Sequence, residues 1–293
     1  MKYAVIIFCC LIAVSCGIQQ NDTLVIGLIK PSLNHLPVQY ALKNITKDQP
    51  LWQLKLFHSG WELNEALVAG RIDLAIMPFT YAWMDVSQNK KVKIISFLER
   101  ESDGIIAGGT QITRLGVLKN STLEIIPELM FKSQNTALPE FICFRTPMDM
   151  AAALQAGEVD AISYYVPSIY NLPDSFQIID WYSHTFPHHP CCDLVANQSA
   201  LDKKNSLVLD FAKRLQKAVS MMQNNYPETL KLAQEYYNLS PHIAAQSLSH
   251  TKYIMGLESS GKEFELQAAE IMFTKGYLAR RVTENEIYHQ ILP

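Results

Sequence analysis

The chain has 293 residues, of which 48% are hydrophobic and 18% charged, with a formal net charge of −3. That length and apolar content can bury a sizeable core, in one large domain or two smaller ones, and exclude a disordered chain. The near-neutral balance excludes a basic nucleic-acid surface and an acidic tail, so no nucleic-acid partner is expected.

The chain opens with Lys2, the apolar stretch "YAVIIFCCLIAV" and the small residues Ala13-Val14-Ser15. This is the layout of a signal peptide, expected over residues 1–16, and it implies export. A membrane span needs about 20 apolar residues, and the polar "SCGIQQND" arrives too soon for one. Cys16 follows the cleavage site directly. Ala13-Val14-Ser15-Cys16 resembles a bacterial lipoprotein box, although leucine is usual where Ala13 stands. The resemblance implies lipidation at Cys16 and a membrane anchor, at the periplasm or cell surface. Beyond the leader, Cys143, Cys191 and Cys192 are too few for a disulfide framework.

"TLVIGLI" reads as a buried strand, "LPVQYALKN" as a helix opened by Pro37, and "LWQLKLFH" as a second strand. "WELNEALVAG" is a second helix stopped by Gly70, followed by a strand "IDLAIMPF", a short helix "YAWMDVSQNK" and a strand "VKIISFLE". The pattern then restarts: "RLGVLK" (strand), "STLEIIPELMFKSQ" (helix), "FICFR" (strand), "PMDMAAALQAG" (helix), "VDAISYYV" and "FQIIDW" (strands). Strands alternating with helices mean βα units and a mostly parallel sheet in each half. "CCDLVANQSAL" reads as the crossing back to the first half, and from about Asn205 the texture is helical without strands.

One phrase occurs twice. "ALVAGRID" (66–73) and "ALQAGEVD" (153–160) share Ala-Leu-x-Ala-Gly and an aspartate before an apolar strand. The alanines and leucines form the helix face that packs on the sheet, and Gly70 and Gly157 supply positive φ at the helix ends. Asp73 and Asp160 stand at the strand starts, whereas open α/β sheets bind ligands beyond the opposite ends, so a structural role is expected for both.

Ligand candidates therefore come from the loops after the strands. The first half offers Ser32, Asn34 and His35, then Ser59, Gly60 and Trp61, then Phe79, Thr80 and Tyr81. The second half offers Asn120, Ser121 and Thr122, then Thr146, then Tyr164, Tyr165 and Pro167. "NST" opens a helix, where N–H groups and hydroxyls can converge on an anion or simply cap the helix. The aromatic candidates suit a ring-bearing solute. "HHPCCD" offers His188, His189, Cys191 and Cys192, but adjacent residues point in different directions, so no metal site is expected there. His189 remains a cleft candidate, and a Cys191-Cys192 disulfide is an option in an oxidising compartment. No nucleophile elbow, P-loop or dinucleotide fingerprint occurs, which favours binding over catalysis and implies no cofactor.

The order of "TLVIGLIKPSLNHLPVQYAL", "ALVAGRIDLAIMP", "VKIISFLERESDGIIAG", "LGVLKNSTL", "PMDMAAALQAGEVDAI" and "FPHHPCCDLVAN" resembles the periplasmic solute-binding proteins of the nitrate/sulfonate/taurine ABC importers, NMT1-like proteins included. The resemblance is close over residues 23–201 and loose in the tail. It implies a type II periplasmic-binding-protein fold: residues 22–108 plus 198–293 as lobe I, 109–197 as lobe II, and a ligand cleft between them. It also implies a monomer that captures a small solute, organic with an anionic group among the options, such as a sulfonate or pyrimidine precursor. The loaded form would dock on an ABC permease in the membrane. Val166-Pro167 stands where family members commonly have Glu-Pro, so a relative's substrate does not carry over. The alternative implied is an enzyme on the same fold, related to thiamine-pyrimidine or menaquinone biosynthesis.

Overall fold

A computed structural model describes residues 23–30, 32–46 and 51–292; the expected signal peptide and Cys16 lie outside the described residues. Lobe I begins as strand β1 (Leu24–Ile29), helix α1 (Leu36–Asn44), β2 (Trp52–Phe57), α2 (Gly60–Val68), β3 (Leu74–Pro78), α3 (Phe79–Ser87) and β4 (Val92–Arg100). The chain then crosses to β5 (Asp103–Ala107), β6 (Arg114–Leu118), α4 (Thr122–Ser133), β7 (Glu140–Phe144), α5 (Pro147–Gln155), β8 (Ala161–Tyr165) and β9 (Gln177–Trp181). After α6 (Tyr182–Thr185) it returns through β10 (Pro190–Asn197). The tail comprises α7 (Gln198–Lys203), α8 (Asn205–Asn224), α9 (Tyr226–Tyr237), α10 (Pro241–Ser249), β11 (Lys252–Gly256), α11 (Ser259–Thr274) and α12 (Glu284–Ile287).

These strands make two sheets, ordered β11-β4-β10-β3-β1-β2 and β7-β6-β8-β5-β9. In each, the βα strands run together while the strand arriving from the other lobe, β10 or β5, is antiparallel to both neighbours. Two expectations shift. The tail was expected to lack strands, yet β11 pairs with β4 through Lys252↔Arg100 and Tyr253↔Glu99. Its five residues are too short for periodicity to separate them from the flanking helices. The lobe limits expected at 108/109 and 197/198 also lie earlier. Asp103 already pairs with Tyr165 in the second sheet, and Cys192 with Pro78 in the first.

The duplicated phrase has the same structural job in both halves. Asp73 accepts a hydrogen bond from the Val25 amide at the start of β1 (2.8 Å) and pairs with Lys204 (2.8 Å). Asp160 accepts from the Thr113 and Arg114 amides at the start of β6 (3.0 and 2.8 Å) and pairs with Arg114 (2.7 Å). Each aspartate thus ties its own strand to the neighbouring parallel strand, β3 to β1 and β8 to β6, at the end away from the cleft. Gly70 and Gly157 close the preceding helices at φ 69° and 74°.

The sheets are packed on both faces, as parallel βα sheets require. Leu24, Ile26 and Leu28 of β1 are fully buried. On the opposite face of β1, a Cβ on Gly27 would meet Leu63 Cδ1 at 2.3 Å and Ile72 Cδ1 at 2.5 Å, so glycine there lets α2 sit close to the sheet. No helix among the described residues is long and apolar enough to cross a membrane.

Candidate functional site

The two crossings lie side by side, and the loops at the carboxyl ends of the strands gather around them. Glu99 at the end of β4 pairs in register with Cys192, while Pro190 pairs with Arg100, so Cys191 is an extra residue bulged out of β10. A bulge turns adjacent side chains toward one side. Here it brings both thiols and the Glu99 carboxylate together, their ligand-type atoms all within 4.8 Å of one another. Lobe I places the Asn34 amide 3.5 Å from Cys192 Sγ, and lobe II places Thr122 Oγ1 3.6 Å from Cys191 Sγ. Thr80 donates across the junction to the Asn120 carbonyl (2.9 Å).

Burial and charge decide the protonation of this floor. Burial, then the neighbouring Asp103, push the Glu99 carboxyl up to about 7, against the opposing hydrogen bonds from Ser102 and Cys192. Burial tends to neutralise His189, but the hydrogen bond to Asp103 (3.0 Å), the Asp103 charge, the Phe186 carbonyl and Glu101 together outweigh it and raise the imidazole. His189 Nδ1 also meets the Phe186 carbonyl (2.9 Å), which fixes the ring. The Cys191 thiol is raised by its hydrogen bond with Cys192 and by burial. Around the floor, burial lifts Tyr81 to about 12 and raises Tyr165, both also feeling Cys192. Burial, with a contribution from Lys30, lowers His35 to about 3. That imidazole is neutral, its Nδ1 3.0 Å from Asn34 Oδ1 and its buried Nε2 without a partner. Tyr237, whose ring centroid is 5.6 Å from that of His35, has a buried hydroxyl likewise without a partner. Arg100 turns away from the floor, its guanidinium bonded to the His188 and Ile254 carbonyls and paired with Glu258.

Of the residues singled out from the sequence, His35, Thr80, Tyr81, Asn120, Ser121, Tyr165 and His189 belong to this region. Ser59 caps α2 by accepting from the Glu62 amide (3.2 Å) and borders the junction only through Gly60, which packs on the Tyr81 ring. Trp61 is 62% exposed and Phe79 is fully buried in the core against Phe264. Thr146 is an exposed cap of α5, bonded to Asp149. The anion seat imagined at "NST" is taken by the chain itself. The Asn120 amide donates to Glu124 Oε2 (2.8 Å), the Ser121 amide to the Leu118 carbonyl (3.2 Å) and the Leu123 amide to Ser121 Oγ (3.2 Å). His188 is exposed and pairs with Glu101 (2.9 Å), so "HHPCCD" does not converge as four ligands, and Cys191 and Cys192 are free thiols.

The sequence reading missed Glu99, Ser102, Asp103, Tyr237 and Tyr253. The first three lie in "ERESD", an acid-rich run between two apolar strands, which could have marked a crossing. Tyr253 reaches back from β11 to donate to the Leu33 carbonyl (2.7 Å), a contact between residues 220 positions apart that leaves no local trace.

No protein-family model and no curated protein matches this sequence. Solved structures do match. A ligand-binding component of an ABC-type import system from Staphylococcus aureus, with zinc bound, superposes with a TM-score of 0.78 at 17% identity, covering 92% of this chain and 97% of that one. The periplasmic aliphatic sulphonate binding protein SsuA from Escherichia coli gives 0.74 at 15% identity, with 92% of each chain covered. The Candida albicans CA3427 product, described as having the generic periplasmic binding protein structural fold, gives 0.67 at 12% identity, covering 89% of this chain and 92% of that one. The chain has the periplasmic-binding-protein fold: two α/β lobes, joined by crossing strands.

Proposed function

We propose that this protein is an exported receptor that captures a small organic solute between its lobes and delivers it to an ABC permease, without transforming it. The observation that carries this reading is the buried junction itself, where polar groups from both lobes meet at the carboxyl ends of their parallel strands and several lack partners. The similar import components and sulphonate binders support the transport role. The site chemistry narrows the solute. Glu99, Asp103 and tyrosine rings face the junction, and among the described residues no lysine or arginine is bonded to these groups, the exposed Lys30 acting on His35 only through its charge, so a bare sulfonate would lack a buried counter-charge. A ring-bearing solute with hydrogen-bond donors, of the pyrimidine-precursor kind, suits it better.

A thermal-shift screen of nitrate, taurine, alkyl and aryl sulfonates and aminopyrimidines tests the reading. A donor-bearing heterocycle is expected to raise the melting temperature with no product formed. Tyr165→Ala should weaken that solute about 30-fold, the loss typical of an aromatic anchor. Turnover of the stabilising compound, or an unchanged affinity in the variant, would count against it. Anchoring at Cys16 belongs to the same proposal: Cys16→Ser should move the protein from the membrane fraction to the soluble one, and unaltered partitioning would refute the anchor.

A further inference from the structure

The bulge at Cys191 does something a regular strand cannot. In an unbroken strand Cys191 and Cys192 would point to opposite faces. In β10 the register slips between Pro190 and Cys192 and again between Cys192 and Asp193, and both sulfurs end up beside the Glu99 carboxylate. All three side chains are buried, and among the described residues this is the one group of three metal-ligating side chains so disposed. Thiols are weak hydrogen-bond partners, so hydrogen bonding alone gives little reason to gather two of them around a buried carboxylate. The surroundings are those of an outer shell: the Asn34 amide lies on Cys192 Sγ, and Thr122 Oγ1 on Cys191 Sγ.

We propose that Cys191, Cys192 and Glu99 form a binding site for a thiophilic metal ion of the zinc(II) class. Two thiolates and one carboxylate supply three protein ligands of the types zinc takes, and a three-ligand set leaves a fourth position open toward the lobe junction. The mixture of soft sulfur and hard oxygen suits a borderline ion better than calcium or magnesium, which take oxygen ligands. Binding displaces one proton from each thiol to solvent, and one from Glu99 where it is protonated, so each zinc ion that enters releases at least two protons. His189 stays outside the set, because Asp103 and the Phe186 carbonyl hold both of its ring nitrogens. The site shares Glu99 with the solute reading but needs no organic ligand.

Cobalt(II) is the probe. The reduced, metal-free full chain is titrated anaerobically with no organic solute present, so the outcome is separate from that of the solute screen. One equivalent should bind with thiolate-to-cobalt charge-transfer absorption, and zinc should displace it. Glu99→Gln should keep the sulfur band and weaken cobalt at least 10-fold, and the Cys191→Ser/Cys192→Ser pair should abolish the band. A wild-type spectrum without thiolate absorption would overturn the proposal whatever the variants do, and so would a band that survives in the double serine variant.

Discussion

Glu265→Ala is expected to lower the unfolding free energy by about 3–5 kcal/mol in a urea titration at pH 6, as two buried donors lose their acceptor and a void opens. Glu265 lies fully buried on α11, and its Oε2 accepts from Trp83 Nε1 (2.8 Å) and from the Tyr288 hydroxyl (2.9 Å). Removing the carboxylate leaves both donors buried without an acceptor, each costing about 1–3 kcal/mol. It also opens a void beside Trp83, among the largest fully buried side chains. The network matters to the site because Trp83 belongs to α3, whose first turn carries Thr80 and Tyr81, and because Asp193, which follows Cys192, faces Glu265. A loss below about 1 kcal/mol would show that the network is not what joins α3 to the tail helices.

The same carboxyl should make stability fall as pH rises from acid to neutral. Burial raises Glu265 to about 7, although Asp193, Trp83 and Tyr288 pull the other way, and Asp193 is raised well above its usual range by burial and by Glu265. Asp193 therefore keeps its proton beside Glu265. A carboxyl raised in the folded state contributes stability that is fully present below its unfolded value and is lost as pH rises through the folded one. The window for Glu265 thus runs from about 4.5 to about 7. His35, lowered to about 3, works in the opposite sense: its contribution is present above 6.5 and is lost as pH falls toward 3. Comparing the wild type with Glu265→Gln isolates the first effect, since the variant keeps His35. The wild type should lose about 2–3 kcal/mol more than the variant between pH 4.5 and 8. Parallel pH profiles for the two proteins would contradict the assignment.

Much of the fold was legible because its signals are local. The helix expected over "LPVQYALKN" spans Leu36–Asn44, and the duplicated phrase marks equivalent helix-turn-strand units with their glycine caps and structural aspartates. What escaped was set by distant pairing. β5 has only five residues, is separated from β4 by two, and does not read as a strand of its own; pairing with β8 and β9 assigns it to the other lobe. β11 is likewise defined by its partner β4.

The site divides along the same line. His35, Tyr81 and Asn120 lie in segments that follow strands, and Tyr165 ends β8, so the rule that ligands sit at the carboxyl ends finds them. Trp61 and Thr146 follow strands too, yet they point to solvent, because the rule gives the end of the sheet and not the side-chain direction. Glu99 escaped because it lies inside a strand. Only the bulge in β10, a property of the register between two distant segments, sets it beside both thiols.

The central claim is that the two lobes hold a small molecule where the crossing strands meet. A co-crystal structure with the compound that most raises the melting temperature tests it most directly. The predicted result is density for that compound at the lobe junction, within contact of Glu99, Tyr81 and Tyr165 and flanked by Asn34 and Thr122. Density for the compound on an outer face of either lobe, with the junction side chains packed as they are without it, would contradict the account.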